Sequence, residues 1–144
     1  MFRKSKLFWL LFLATFSLFS LGGVSSQATV IQERTIIYYF HGNMRCQTCN
    51  KIEMYTKEIV NAGFSRELAE GSMEIRIVNT DKSENEHFIK DFKLTNHSLV
   101  LVQTNDDKVI KWKNLDRIWL LVRNKEAFQN YVSEEIRVFM AAEK

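Results

Sequence analysis

Both cysteines of the chain lie in one stretch, "FHGNMRCQTCNKIE" (Phe40 to Glu53), with only Gln47 and Thr48 between Cys46 and Cys49. Three chemistries are open to such a pair: thiol–disulfide exchange, a share in a metal site, or a structural bridge. A bridge closing so small a loop removes little chain entropy from the unfolded state, so stabilisation alone is a poor use of it. Zinc asks for four donors, and beyond the two thiols the chain offers no second CxxC, only His41, His87, His97 and carboxylates. A soft ion such as Cu(I) needs fewer ligands and stays open as an alternative. Exchange requires a thiolate, and a free cysteine with pKa of about 8.5 is mostly protonated near neutrality.

The elements around the pair must therefore stabilise an anion. Thr35 to Phe40 ("TIIYYF") is β-branched and aromatic without alternation, the pattern of a strand buried on both faces of a sheet, and it runs straight into the cysteine loop. From the cysteines onward, Cys49, Ile52, Tyr55 or Thr56, Ile59 and Gly63 recur in steps of three and four, which predicts a helix. The CxxC then sits at the N-terminus of that helix, where unpaired backbone N–H groups and the helix dipole favour a thiolate. Arg45, just before Cys46, is placed to add a positive charge. Cys46 is accordingly the expected attacking sulfur, and Cys49, on the first turn and facing inward on the Ile52 and Ile59 side, the resolving one.

Further along, Met73 to Asn79 ("MEIRIVN") alternates as a strand, Glu84 to Phe92 reads as a helix, and Leu99 to Gln103 ("LVLVQ") as a short apolar strand. Asn105, Asp106 and Asp107 predict a turn, after which Val109 to Lys113 pairs back as a hairpin strand. Asp116 to Val122 is read as a short helix, and Phe128, Val132, Ile136 and Met140 mark the face of a terminal helix. This alternation predicts an α/β domain with a central mixed sheet covered by helices on both faces.

The N-terminus reads as a separate object. Arg3, Lys4 and Lys6 precede an uncharged run from Leu7 to Leu21, and "GGVSSQA" follows, ending in the small residues Ser26 and Ala28 around Gln27. That is a secretory signal pattern, so residues 1–28 are expected to direct export and 29–144 to form the domain. The apolar run of 15 residues is shorter than the roughly 20 a spanning helix needs, although an uncleaved segment would hold residues 7–21 against a membrane. Of the 20 Lys and Arg, three lie in this segment, which leaves 17 against 17 Asp and Glu. A balanced charge gives no support for nucleic-acid binding. Export to a periplasmic or other extracytoplasmic space would also permit disulfides that cytosolic thiol buffers reduce.

On "TIIYYF", "CQTC" and the β-α-β segment "IRIVNTDKSENEHFIKDFKLTNHSLVLV", the chain from Thr35 onward resembles the thioredoxin-like superfamily. More narrowly, "YYFHGNMRCQTCNKIE" with the later "VN" and "SLVLV" resembles small exported thioredoxin-like proteins of the nitrophenyl compound nitroreductase subunit ArsF family. The resemblance implies a three-layer α/β/α sandwich, a redox-active disulfide with no other cofactor, a redox partner such as a membrane thiol reductase, and a part in nitroaromatic reduction. It also exposes two departures. Thioredoxins place a cis-proline before the strand that faces the CxxC; here His97 stands there and the chain has no proline. The buried carboxylate that assists many of them falls on Tyr39 or Phe40, which cannot take a proton from Cys49. His97 is a candidate proton acceptor, or a third ligand in a soft-metal or arsenic site with Cys46 and Cys49, or simply a loop residue; Glu53, one turn beyond Cys49, and His41 are further auxiliary candidates.

Overall fold

The computed structural model describes residues 33–141, so the expected signal segment 1–28 lies outside the described residues. In chain order the elements are β1 (Glu33–His41), α1 (Gln47–Gly63), α2 (Ser65–Glu70), β2 (Met73–Asn79), a 3-10 turn (Ser83–Asn85), α3 (His87–Asp91), β3 (Ser98–Asn105), β4 (Lys108–Asn114), α4 (Ile118–Leu121) and α5 (Lys125–Ala141). The strands form one sheet in the order β2-β1-β3-β4. β1 runs parallel to β2, with Ile37 opposite Ile75, and antiparallel to β3, with Ile37 opposite Leu101. β3 and β4 are antiparallel.

Because β1 is flanked on both sides, every residue from Thr35 to Phe40 is buried, which is what its unbroken apolar run requires. Successive side chains point to opposite faces. Ile37, Tyr39, Leu99 and Leu101 pack beneath Ile52 and Val60 of α1 and Phe128, Val132 and Ile136 of α5. Ile36, Tyr38, Phe40, Val100 and Val102 form the other face, packed against Phe92 with Phe88 and Leu94. The layers are thus α/β/α, but unequal. The first face carries two helices of 17 residues each, and the second only the five-residue α3. Stacked rings compensate there: Tyr38 and Phe40 lie 5.1 Å apart, and Phe88 sits 5.2 Å from Phe40.

The local chemistry of the chain sets the element ends. α2 stops at Gly71, whose φ of 74° lies in the left-handed region that glycine enters without strain. Asp106 and Asp107, with φ of 47° and 64°, form the tight turn between β3 and β4, both central positions being left-handed as a type I′ hairpin demands. The helix expected over Glu84 to Phe92 is instead a 3-10 turn followed by α3. Asn85 donates its side-chain amide to the carbonyl of Asn79 at 2.9 Å, holding the segment to the loop after β2, and Glu86 makes no side-chain cap for α3. Two helix faces are also corrected. α1 buries Cys49, Ile52, Thr56 and Val60, with Ile59 only partly buried and Gly63 exposed. α5 buries Phe128, Val132, Ile136 and Phe139, with Met140 at the margin. In both, the 3.6-residue repeat rotates the stripe away from the last residue expected on it.

Leu101, with none of its surface exposed, stands at the centre of β3 over the larger core. Leu101→Ala is expected to lower the unfolding free energy by about 2–5 kcal/mol, read from urea midpoints at constant slope.

Candidate functional site

β1 ends at His41, and five residues later the chain turns into α1. Cys46 is the N-cap: its backbone is extended (φ −86°, ψ 167°), and its Sγ accepts the N–H of Cys49 at 3.2 Å. That sulfur takes the place of the Ser or Asp oxygen that usually caps a helix. No acidic residue lies in the first turn of α1, so the positive end of the helix faces sulfur alone. Cys46 and Cys49 are joined as a disulfide with Cα atoms 5.1 Å apart. Cys46 is exposed, whereas Cys49 is 3% exposed, matching the expected division into outer and inner sulfurs.

Two groups hold Cys49, and a third holds one of them. Its carbonyl accepts the Tyr39 hydroxyl at 2.9 Å, a buried bond from β1 to the first turn of α1. Burial pushes Tyr39 up to about 12, outweighing Arg45 nearby, so the phenol keeps its proton. Of the two positions at which the carboxylate of many thioredoxins was expected, Tyr39 is the one that faces α1, and it acts there as a donor. His97, directly before β3, places Nδ1 3.2 Å from Cys49 Sγ, and its Nε2 accepts the Gly42 N–H at 3.1 Å. Burial, followed by the neighbouring His41 and Arg45, holds the His97 imidazole below the usual histidine range. Trp119 donates its indole N–H to the His97 carbonyl at 3.0 Å and packs its ring 6.2 Å away.

The other auxiliary candidates are engaged elsewhere. Arg45 is ion-paired with Glu53 and so turns its charge to that carboxylate. Glu53 also binds Lys57 at 2.5 Å. Burial raises the Glu53 carboxyl, but the hydrogen bonds from Lys57 and Arg45 win and hold it below the usual range. A carboxylate held ionised by two cations is a weak base, which argues against the proton role considered for it. His41 donates Nδ1–H to the carbonyl of Gly42 at 2.8 Å, within its own loop. Among the described residues, no three His, Cys, Asp or Glu side chains are grouped as a metal site.

A shallow depression of about 430 Å³ surrounds the disulfide, lined by Met44, Arg45, Cys46, Cys49, Asn96, His97 and Trp119. Met44 is 86% exposed on its rim, and Leu120, beside Trp119, is 73% exposed. Trp119 reaches the site through α4, and nothing in its spacing from the cysteines signals that; neither Met44 nor Asn96 carries a motif.

The parallel β1-β2 pair, β1 antiparallel to β3, β4 at the edge and a CxxC capping the helix after β1 together define a thioredoxin-like α/β fold with a dithiol site. No family model matches the sequence, and no curated protein matches it. Among solved structures, the chain is similar to one described as the structure of a malarial protein, at 14% identity over 64% of this chain and 96% of that one, with a TM-score of 0.39. It is also similar to thioredoxin-2 of the malaria parasite, described as a component of its protein secretion machinery, at 14% identity over 63% of this chain and 82% of that one, with a TM-score of 0.38.

The Arg45–Glu53–Lys57 cluster gives a pH test. The folded-state pKa of Glu53 lies below the ordinary 4.5, so its contribution to stability is present above that value and is lost as pH falls through the folded pKa. Glu53→Gln is expected to be less stable than the parent at pH 7, with the difference shrinking on acidification below 4.5, measured by denaturant titration across pH.

Proposed function

We propose that this protein is an exported thiol–disulfide oxidoreductase. The observation that carries the reading is an exposed sulfur at a helix N-cap, bonded to a buried sulfur one turn on, at the end of the central strand. In the reduced protein the Cys46 thiolate, favoured by the helix N-terminus and the Cys49 amide, attacks one sulfur of a partner's disulfide and expels the other as a thiolate. Cys49 then gives its proton to water and attacks Cys46 Sγ, which closes the intramolecular disulfide and releases the partner's second sulfur. Two electrons pass to the partner, and the reverse sequence reloads the pair from a donor such as a membrane thiol reductase.

Export rests on the signal pattern of residues 1–28, and no helix of the described residues is long and apolar enough to cross a membrane. No cofactor beyond the disulfide is needed for exchange. The balanced charge of the remaining chain leaves nucleic acid outside the reading. The resemblance to the nitrophenyl compound nitroreductase subunit ArsF family extends the proposal to the final acceptor, with this chain passing electrons toward nitroaromatic reduction.

In thiol–disulfide buffers, with free thiols trapped and counted by mass, the pair is expected to show a reversible two-electron transition between about −120 and −270 mV. Cys46→Ser should abolish exchange, and Cys49→Ser should accumulate a mixed disulfide at Cys46. No reversible transition, together with metal retained stoichiometrically through purification, would instead assign the site to soft-metal or arsenic binding by Cys46, Cys49 and His97. Nitroaromatic reduction that continues unchanged in Cys46→Ser would remove the final-acceptor reading alone.

A further inference from the structure

The exchange steps leave the loops after β1 and β2 unused, yet these loops are clamped together. The His41 carbonyl accepts the Thr80 N–H at 2.8 Å. Asn43 N–H donates to Asp81 Oδ2 at 2.7 Å, Asn79 Nδ2 donates to Asn43 Oδ1 at 2.8 Å, and Asp81 N–H donates to Asn79 Oδ1 at 3.0 Å. Gly42 lies inside this clamp. A Cβ at that position would sit 2.9 Å from Asp81 Oδ2 and 3.2 Å from Oδ1, so a larger residue would push the Asp81 carboxylate off the loop.

The clamp aims one backbone amide. Gly42 N–H points at His97 Nε2, 3.1 Å away, and an amide can only donate. Nε2 must therefore present a lone pair, and a neutral imidazole with its lone pair on Nε2 carries its proton on Nδ1. Nδ1 is the atom 3.2 Å from Cys49 Sγ. The hydrogen bond thus runs from His97 to sulfur, the reverse of the direction a general base requires. Protonating His97 would set an Nε2–H against the Gly42 N–H, donor against donor. Of the charged groups around the ring, His41 and Arg45 also disfavour the imidazolium, while Asp81 favours it. Trp119, from α4, adds ring contact without charge.

We propose that His97 is a fixed hydrogen-bond donor to the Cys49 thiolate, held as its Nδ1–H tautomer by the Gly42 amide, with Gly42 and Asp81 as the positioning residues that aim that amide. The proposal deepens the dithiol reading and rests on it for its consequence. Throughout the exchange His97 keeps its proton, the Cys49 proton goes to water, and the donated hydrogen bond makes Cys49 both easier to ionise and easier to expel when Cys46–Cys49 is reduced.

The test uses the full chain, reduced, with its histidines labelled with nitrogen-15, and reads the His97 tautomer from long-range proton–nitrogen correlations at neutral pH. Nδ1 is expected to be protonated and Nε2 bare. Asp81→Ala, a change at an exposed side chain, should weaken that preference toward the Nε2–H form, as should Gly42→Ala. Cys49 ionisation, followed by the chemical shift of its labelled Cβ, should require about tenfold lower proton concentration in His97→Ala. His97→Asn, which keeps an N–H near the Nδ1 position, should recover much of that loss. An Nε2–H tautomer or an imidazolium in the parent protein overturns the proposal, as does Cys49 ionisation unchanged in His97→Ala. Either result is independent of the redox titration, which tests the dithiol reading by itself.

Discussion

One buried hydrogen bond, from the Tyr39 hydroxyl to the Cys49 carbonyl, ties the central strand to the first turn of α1, and the arrangement of the sulfurs depends on it. Tyr39 cannot shift, because β1 is paired along both edges. The first turn of α1 is thereby registered against the sheet, which sets Cys49 inside and leaves Cys46 at the rim. An unpaired hydroxyl at this depth would cost free energy comparable to a lost hydrogen bond, so the strand and the helix start are coupled. The phenol also changes the electrostatics, since a neutral donor there leaves no buried anion to oppose a thiolate on Cys49.

The same rule shapes the rest of the site. Around the inner sulfur stand the His97 imidazole and, one step removed, the phenol of Tyr39; around the outer sulfur stands the Cys49 amide. The Glu53 carboxylate is neutralised by Arg45 and Lys57. On the proposed dithiol reading, negative charge held on sulfur is served by hydrogen-bond donors and by pairing the anions away from the sulfurs.

The two faces of the sheet divide the work. The face under α1 and α5 carries the larger core and supports the sulfurs from below. The opposite face is closed by rings and a five-residue helix, and beside them lies a groove of about 570 Å³ lined in part by Tyr38, Phe88, Phe92 and Trp112. The larger core thus lies on the face where the dithiol is mounted.

Much of this was legible from local pattern. The unbroken apolar run of Thr35 to Phe40 required a central strand, the strand Met73 to Asn79 was read with its observed bounds, and the CxxC at a strand-to-helix junction implied an exposed and a buried sulfur. Those features follow from residue periodicity and from the polarity of a helix end, which are properties of contiguous chain. The ends of α1 and α5 and the fragment α3 were less legible, because their faces are set by what they pack against. The partners of the sulfurs were legible only through the resemblance, which put His97 at the cis-proline position and Tyr39 or Phe40 at that of the carboxylate, and not from local pattern. Tyr39 is 10 residues from Cys49, His97 is 48, and Gly42 is 55 from His97. Which nitrogen of His97 faces sulfur, and which carboxylate is spent on an ion pair, depends on groups the sheet brings together from distant chain, so only the tertiary structure could decide it.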